Sequence, residues 1–207
     1  MITSNQLFTS NLTNMEPLIR LLHAVHPLSP ALEAHLRLKI KCYQYKKGQK
    51  IVKAGEIASH ILYLEKGLIR SYSLVQGKRI SNYFMREGDI IISVESFLQQ
   101  IPAHDSIEAL EDCICWGITF EELEETYAFF PEFNVHGRLI TGTYYCRSEA
   151  RHRGRHRKRS HEIYAALMES DPNLVSRVKD VYMASYLNAS KATLSRVKHA
   201  YAKRKWR

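Results

Sequence analysis

Two kinds of apolar spacing divide the chain. In "EPLIRLLHAVHPLSPALEAHLRLKI" (16–40), Leu18, Leu21 and Leu22 share one face at helical spacing. Ser29 and Pro30 supply a cap and a first-turn proline, so the stretch predicts two short helices. From Cys42 to Thr119 the period drops to two. The runs "CYQYKK", "KIVKAG", "HILYLEKG", "LIRSYSL", "RISNYFMREG", "DIIIS", "SIEALED" and "CICWGIT" are punctuated by Gly48, Gly55, Gly67, Gly77 and Gly88. Short strands at even spacing with glycine turns predict an antiparallel sandwich or jelly roll. "VQGKR" reads as a hairpin turn and "DIIIS" as a short buried strand. Helical spacing returns at Thr119, where Glu122 completes a capping-box pattern. After Pro131, the residues Val135, Leu139, Gly142 and Cys146 fall on one narrow helical face. Such a seam suits pairing with a second copy, although Gly137 and Gly142 weaken the helix. From His161 the pattern is helical to the end, with a turn at Asp171-Pro172.

Composition changes this picture through its asymmetry. The chain has 207 residues, 45% hydrophobic and 25% charged, which suits one large or two small globular domains. Its net charge of +9 is confined to one end. Residues 137–207 hold 17 Lys/Arg against 5 Asp/Glu, a net of +12, which leaves −3 for residues 1–136. A basic module following a slightly acidic one points to a polyanionic partner for the C-terminal part. Cys42, Cys113, Cys115 and Cys146 show no framework spacing, and no targeting segment precedes them, so reduced thiols and a cytoplasmic location are expected. No apolar run is long enough to span a membrane. "RHRGRHRKRS" (151–160) reads either as a solvated linker or as a phosphate-contacting run, with Gly154 breaking the helix. His152, His156 and His161 recur near helical spacing, but the surrounding arginines repel a cation, and no metal site is expected.

The C-terminal stretch "ASYLNASKATLSRVKHAYAKRKWR" meets a helix-turn-helix template position by position. Ala184 is the small residue at a helix crossing, with Met183 and Leu187 as apolar neighbours. Asn188 suits a turn with positive φ, and Ser190 can cap the next helix near Thr193. Leu194 and Val197 face inward. Lys191, Ala192, Ser195, Arg196 and His199 remain outward, where short polar and cationic side chains can meet base edges in a major groove. Lys198, Lys203, Arg204, Lys205 and Arg207 would lie toward phosphates.

This order of parts resembles the Crp/Fnr superfamily of bacterial transcription regulators. "YKKGQKIVKAGEIASHILYLEKGLIRSY" (45–72) is similar to the family's opening strands, and "EGDIIISVESFLQQIPAHDSIEALED" (87–112) to its ligand-cassette region. "NASKATLSRVKH" (188–199) resembles its recognition helix. The resemblance implies an α+β chain: a cyclic-nucleotide-binding-type antiparallel β-roll with flanking helices over residues 1–130, a long dimerisation helix with a basic linker over 131–158, and an all-α helix-turn-helix domain over 159–207. It implies a homodimer on double-stranded DNA, with RNA polymerase as a further partner. Lys191, Ala192, Ser195 and Arg196 would contact bases, and Ser190, Thr193, Lys198, His199, Lys203, Arg204 and Lys205 would contact phosphates. Val135, Leu139, Gly142 and Cys146 would form the dimer helix seam.

Three departures shape the expectation. Cyclic-nucleotide binders carry Gly-Glu for the ribose and Arg-Ser or Arg-Ala for the cyclic phosphate, but these places read Ile92-Ser93 and His104-Asp105 here, with Glu95 nearby. A carboxylate in the place of the phosphate-pairing arginine repels a phosphodiester, so no cAMP or cGMP binding and no cofactor are expected, and any small-molecule effector is of unidentified chemistry. Ala192 stands where many relatives carry a base-reading glutamate, which predicts a different half-site. After the recognition helix only "YAKRKWR" is left for a β-wing, and residues 1–41 hold no cysteine cluster for iron–sulfur binding. The leading expectation is a non-enzymatic, sequence-specific DNA-binding regulator. One alternative is a sensor or interaction module whose terminus no longer reads DNA. Another is a cupin-like metal enzyme, for which the strands offer only His60 and His104.

Overall fold

The computed structural model describes residues 14–157 and 159–205, with backbone alone at residues 152, 154–157 and 204–205. The two opening helices form as the spacing predicts: α1 spans Glu16–Val25 and α2 spans Pro30–Lys39. Ser29 Oγ accepts the Leu32 N–H at 3.3 Å and fixes the start of α2. Leu18, Ile19 and Leu22 are the buried residues of α1, while Leu21 is only partly covered.

The alternating stretch builds eight strands: β1 (Lys41–Tyr45), β2 (Lys50–Val52), β3 (His60–Lys66), β4 (Leu68–Val75), β5 (Lys78–Arg86), β6 (Ile90–Ile91), β7 (Ser106–Ala109) and β8 (Cys113–Thr119). They form two four-stranded sheets, ordered β1-β8-β3-β6 and β2-β7-β4-β5. The pairings are antiparallel, with Tyr43 opposite Cys115 and Leu62 opposite Gly117. Leu62, Leu64, Ile69, Ile91, Ile107 and Cys115 are among the fully buried side chains, as expected where two sheets share one core. The β4–β5 turn takes positive φ at Gln76 and Gly77, the geometry that lets a two-residue loop follow strand twist. Gly67 has φ +116°, and a Cβ there would sit 2.9 Å from the Asp112 carbonyl oxygen, so no other residue fits between β3 and β4 without strain.

One buried ion pair lies within the second sheet. Arg70 on β4 donates through Nε to Glu108 Oε1 on β7 at 2.7 Å, with both side chains under 10% exposed. Two charges taken from water this fully need hydrogen-bonded partners, and the contact between them supplies one to each.

Helix α3 (Val94–Gln99) lies between β6 and β7, and α4 (Phe120–Phe129) follows β8. The capping box of α4 is complete: Thr119 Oγ1 accepts from Glu122 N–H at 3.1 Å, and Glu122 accepts from Thr119 N–H at 3.2 Å. α5 then runs from Phe133 to Arg157. It passes through Gly154, correcting the expectation of a break there. A glycine costs a helix interior only about 1 kcal/mol, and one in a 25-residue helix is carried by its neighbours. Four helices complete the chain: α6 (Ser160–Ser170), α7 (Pro172–Arg177), α8 (Asp180–Tyr186) and α9 (Lys191–Lys205).

The described residues form two compact units, one of residues 14–71 and 84–143, the other of residues 72–83 and 144–205. The tip of the β4–β5 hairpin thus belongs with the C-terminal helices. Ser185 Oγ on α8 accepts the Ser81 N–H at 2.8 Å and donates to the Arg79 carbonyl at 3.1 Å, so a single hydroxyl serves the outer edge of β5 as a strand partner would. Arg151 stacks over the Tyr83 and Tyr144 rings at 4.9 and 5.7 Å in the same unit. No helix of the described residues is long and apolar enough to cross a membrane.

Candidate nucleic-acid interface

The helix-turn-helix is built from residues whose roles follow from their size and shape. Ala184 is 4% exposed, beside Met183 at 1% and Leu187 at 3%. A larger side chain at Ala184 would push the next helix away. Asn188 adopts φ +49°, the left-handed conformation that ends α8 and turns the chain. The turn is closed by Ala189 N–H donating to Ala184 C=O at 2.9 Å. Ser190 Oγ then accepts the Thr193 N–H at 3.0 Å and starts α9. Leu194 and Val197 are buried, as are Leu174, Val175 and Val178. Tyr164 on α6 meets Tyr201 on α9 edge-on, with ring centroids 5.8 Å apart.

This packing leaves one face of α9 in solvent. Lys191, Ala192, Ser195, Arg196 and His199 are exposed, and Thr193 is half-buried at the helix start. Arg196 donates through Nη2 to Thr193 Oγ1 at 3.3 Å. Lys203 is exposed in the last turns, while the side chains of Arg204 and Lys205, with Arg207, lie outside the described residues. Lys198 is placed differently from the expectation of a cation open to phosphate. Its Nζ pairs with Asp180 Oδ1 on α8 and ties the two helices together. No spacing rule flags that pair, because its members are 18 positions apart and meet only once the turn at Asn188 has formed.

On α5 the seam residues share a side that is largely open. Gly142 and Cys146 are exposed, Leu139 is 36% exposed and Val135 is half-buried. His136, one position along, is buried instead, and its Nε2 donates to the His26 carbonyl at 2.8 Å. The run from Arg151 is helical as far as Arg157. Arg153 pairs with Glu149 at 3.9 Å, and the side chains of His152 and His156 are outside the described residues. Among the described residues no group of three His, Cys, Asp or Glu is placed to hold a metal ion. Cys113 and Cys115 are buried on β8, and burial raises the Cys113 thiol to about 11 and the Cys115 thiol further. Both are packing groups at neutral pH.

In the cassette region Ile92 is buried and Ser93 stands at the start of α3. Glu95 and His104 are both exposed and face each other with Nε2 to Oε2 at 3.7 Å, while Asp105 is half-buried. Residues 43–128, which hold this region and the eight strands but for the first residues of β1, match the family model of the cyclic nucleotide-binding domain.

Solved structures extend the likeness past that domain. FixK2 from Bradyrhizobium japonicum superposes with a TM-score of 0.66 at 20% identity, over 80% of this chain and 86% of that one. The c-di-GMP-responsive global regulator CLP from Xanthomonas campestris gives 0.66 at 12% identity, over 84% and 93%. A Crp/Fnr-family transcriptional regulator from Eubacterium rectale gives 0.66 at 16% identity, over 86% and 85%. The fold is therefore that of Crp/Fnr regulators, as the sequence resemblance implies. No curated protein sequence matched the chain. Where the sequence resemblance expects ribose and cyclic phosphate stand Ile92 and Ser93, then His104, which faces the Glu95 carboxylate, and Asp105. An arginine poised for a phosphodiester is missing from both places.

Proposed function

We propose that the protein is a homodimeric, sequence-specific DNA-binding transcription regulator whose C-terminal helix-turn-helix reads a palindromic site. The observation that carries this reading is the exposed face of α9, where Lys191, Ala192, Ser195 and Arg196 stand on a helix capped by Ser190 and held by Leu194 and Val197. Arg196 can offer two parallel N–H groups to guanine, and the Ala192 methyl can contact thymine. Ser190, His199 and Lys203 would meet phosphates, a sequence-independent contribution that depends on salt. The open side of α5 at Leu139, Gly142 and Cys146 would pair with the same side of a second copy. Pairing there would set two copies of α9 one DNA turn apart, roughly 34 Å.

The domain upstream would control this face without cAMP or cGMP. By the family resemblance Asp105 would put a carboxylate where a cyclic phosphate needs a cation, and calorimetry with either nucleotide is expected to show no binding; micromolar affinity would contradict that. The DNA reading is tested by two substitutions in gel shifts. Arg196→Ala should cost about 1–3 kcal/mol on the preferred site and relax its selectivity, whereas Lys203→Ala should weaken all sequences alike. Equal effects of the two across specific and scrambled duplexes would refute the roles assigned.

A further inference from the structure

The start of α9 holds a chain of side-chain hydrogen bonds that changes what Thr193 can do. Ser190 Oγ accepts the Thr193 backbone N–H at 3.0 Å, and the Ser190 and Thr193 hydroxyl oxygens are 3.0 Å apart. Arg196 Nη2 lies 3.3 Å from Thr193 Oγ1. A guanidinium has donors only, so Thr193 Oγ1 is the acceptor in that contact. When the Thr193 proton goes to Ser190, both lone pairs of Ser190 Oγ are occupied, by that proton and by the backbone N–H. The Ser190 proton is then the one left to point outward. The chain runs Arg196 to Thr193 to Ser190 and ends in a donor, the polarity that suits a phosphate oxygen.

Resting on the DNA-binding reading, we infer that Thr193 is a positioning residue for Arg196, and that the phosphate contact at the start of α9 belongs to Ser190 alone. The spacing supports this, because residues three apart on a helix are surface neighbours. Arg196 spends one N–H on Thr193 and keeps four, enough for a bidentate contact with a guanine edge. A long side chain held in place before binding loses less freedom on contact, so the benefit falls on the site that Arg196 reads and not on DNA in general. Thr193 therefore acts on specificity, and it couples a phosphate seated at Ser190 to the orientation of the base-reading arginine.

The test compares full-length Thr193→Val, Thr193→Ala, Thr193→Ser, Arg196→Ala and Thr193→Val/Arg196→Ala with the parent chain. Dissociation constants are measured by fluorescence anisotropy on the site selected from a random pool and on a scrambled duplex of equal length, at one salt concentration. Thermal melting by circular dichroism checks each fold. Thr193→Val and Thr193→Ala should each lower the ratio of the two constants roughly five- to ten-fold, a loss within the range of one base contact, and leave the scrambled duplex nearly unchanged. Thr193→Ser should retain the parent ratio, and the double variant should discriminate no worse than Arg196→Ala alone. If Thr193→Val or Thr193→Ala weakens both duplexes equally, Thr193 is a phosphate contact and the inference is overturned. An additive loss in the double variant overturns it as well. A parent chain that does not distinguish the two duplexes removes the DNA-reading proposal itself, whereas an intact parent ratio that Thr193→Val and Thr193→Ala leave unchanged removes only the role of Thr193.

Discussion

Asp180 decides how many cations α9 can offer to a polyanion. Its carboxylate holds Lys198 against α8, so one of the basic residues of the helix is spent inside the protein. Exposed pairs add little stability, about 0.2–1 kcal/mol, and the consequence is felt in binding. Asp180→Asn should free Lys198, tighten binding to scrambled DNA and steepen the salt dependence by about one in log K against log salt. Lys198→Ala in the parent should leave that slope nearly unchanged. A slope that falls by about one in Lys198→Ala would show that the lysine already contacts phosphate. This pair was not legible from residue order, whereas Asn188 was. A residue between two helical patterns that tolerates positive φ is a local property, and the observed φ of +49° matches it.

At the scale of elements, the position of α5 rests partly on a buried histidine. His136 is 1% exposed, its Nε2 donates to the carbonyl of His26 at the end of α1, and its Nδ1 has no partner among the described residues. Burial holds its pKa below the ordinary histidine value, with the neighbouring His26 and His23 adding to the effect and carbonyl contacts opposing it. The neutral ring is thus the folded form, and a depressed folded pKa means that stability is full above the unfolded value and is lost as pH falls through it. Unfolding by urea should show lower stability at pH 5.5 than at pH 7.5. His136→Gln, which keeps an N–H donor, should be less sensitive over the same range. An equal pH response in the two proteins would remove His136 as the cause. Elements also show where reading the sequence succeeded. The glycine-spaced runs gave eight strands, and five of the connections take the positive φ that glycine adopts freely, as Gly67 does at φ +116°. The run around Gly154 was misread because local propensity undervalued a long helix that tolerates one glycine. The Ser185 bonds to the edge of β5 and the Arg70–Glu108 pair join residues far apart in the chain, and no periodicity encodes them.

On the scale of the whole molecule, the charge division has a structural counterpart. Residues 137–207, with a net of +12, include all of the helix-turn-helix, and residues 43–128, which match the cyclic nucleotide-binding domain, lie in the slightly acidic remainder. The fold and the exposed face of α9 were legible because they depend on patterns that repeat along the chain. An effector was not legible, because a ligand site depends on a few residues, and the places the family resemblance points to read Ile92, Ser93, His104 and Asp105. The central claim is that α9, in a pair of copies, reads sequence. In-vitro selection from a random double-stranded pool by the purified full-length protein tests it most directly. An inverted repeat with half-site centres about 10 base pairs apart is the result expected. Recovery of DNA with no shared sequence, bound only in low salt, would contradict the account.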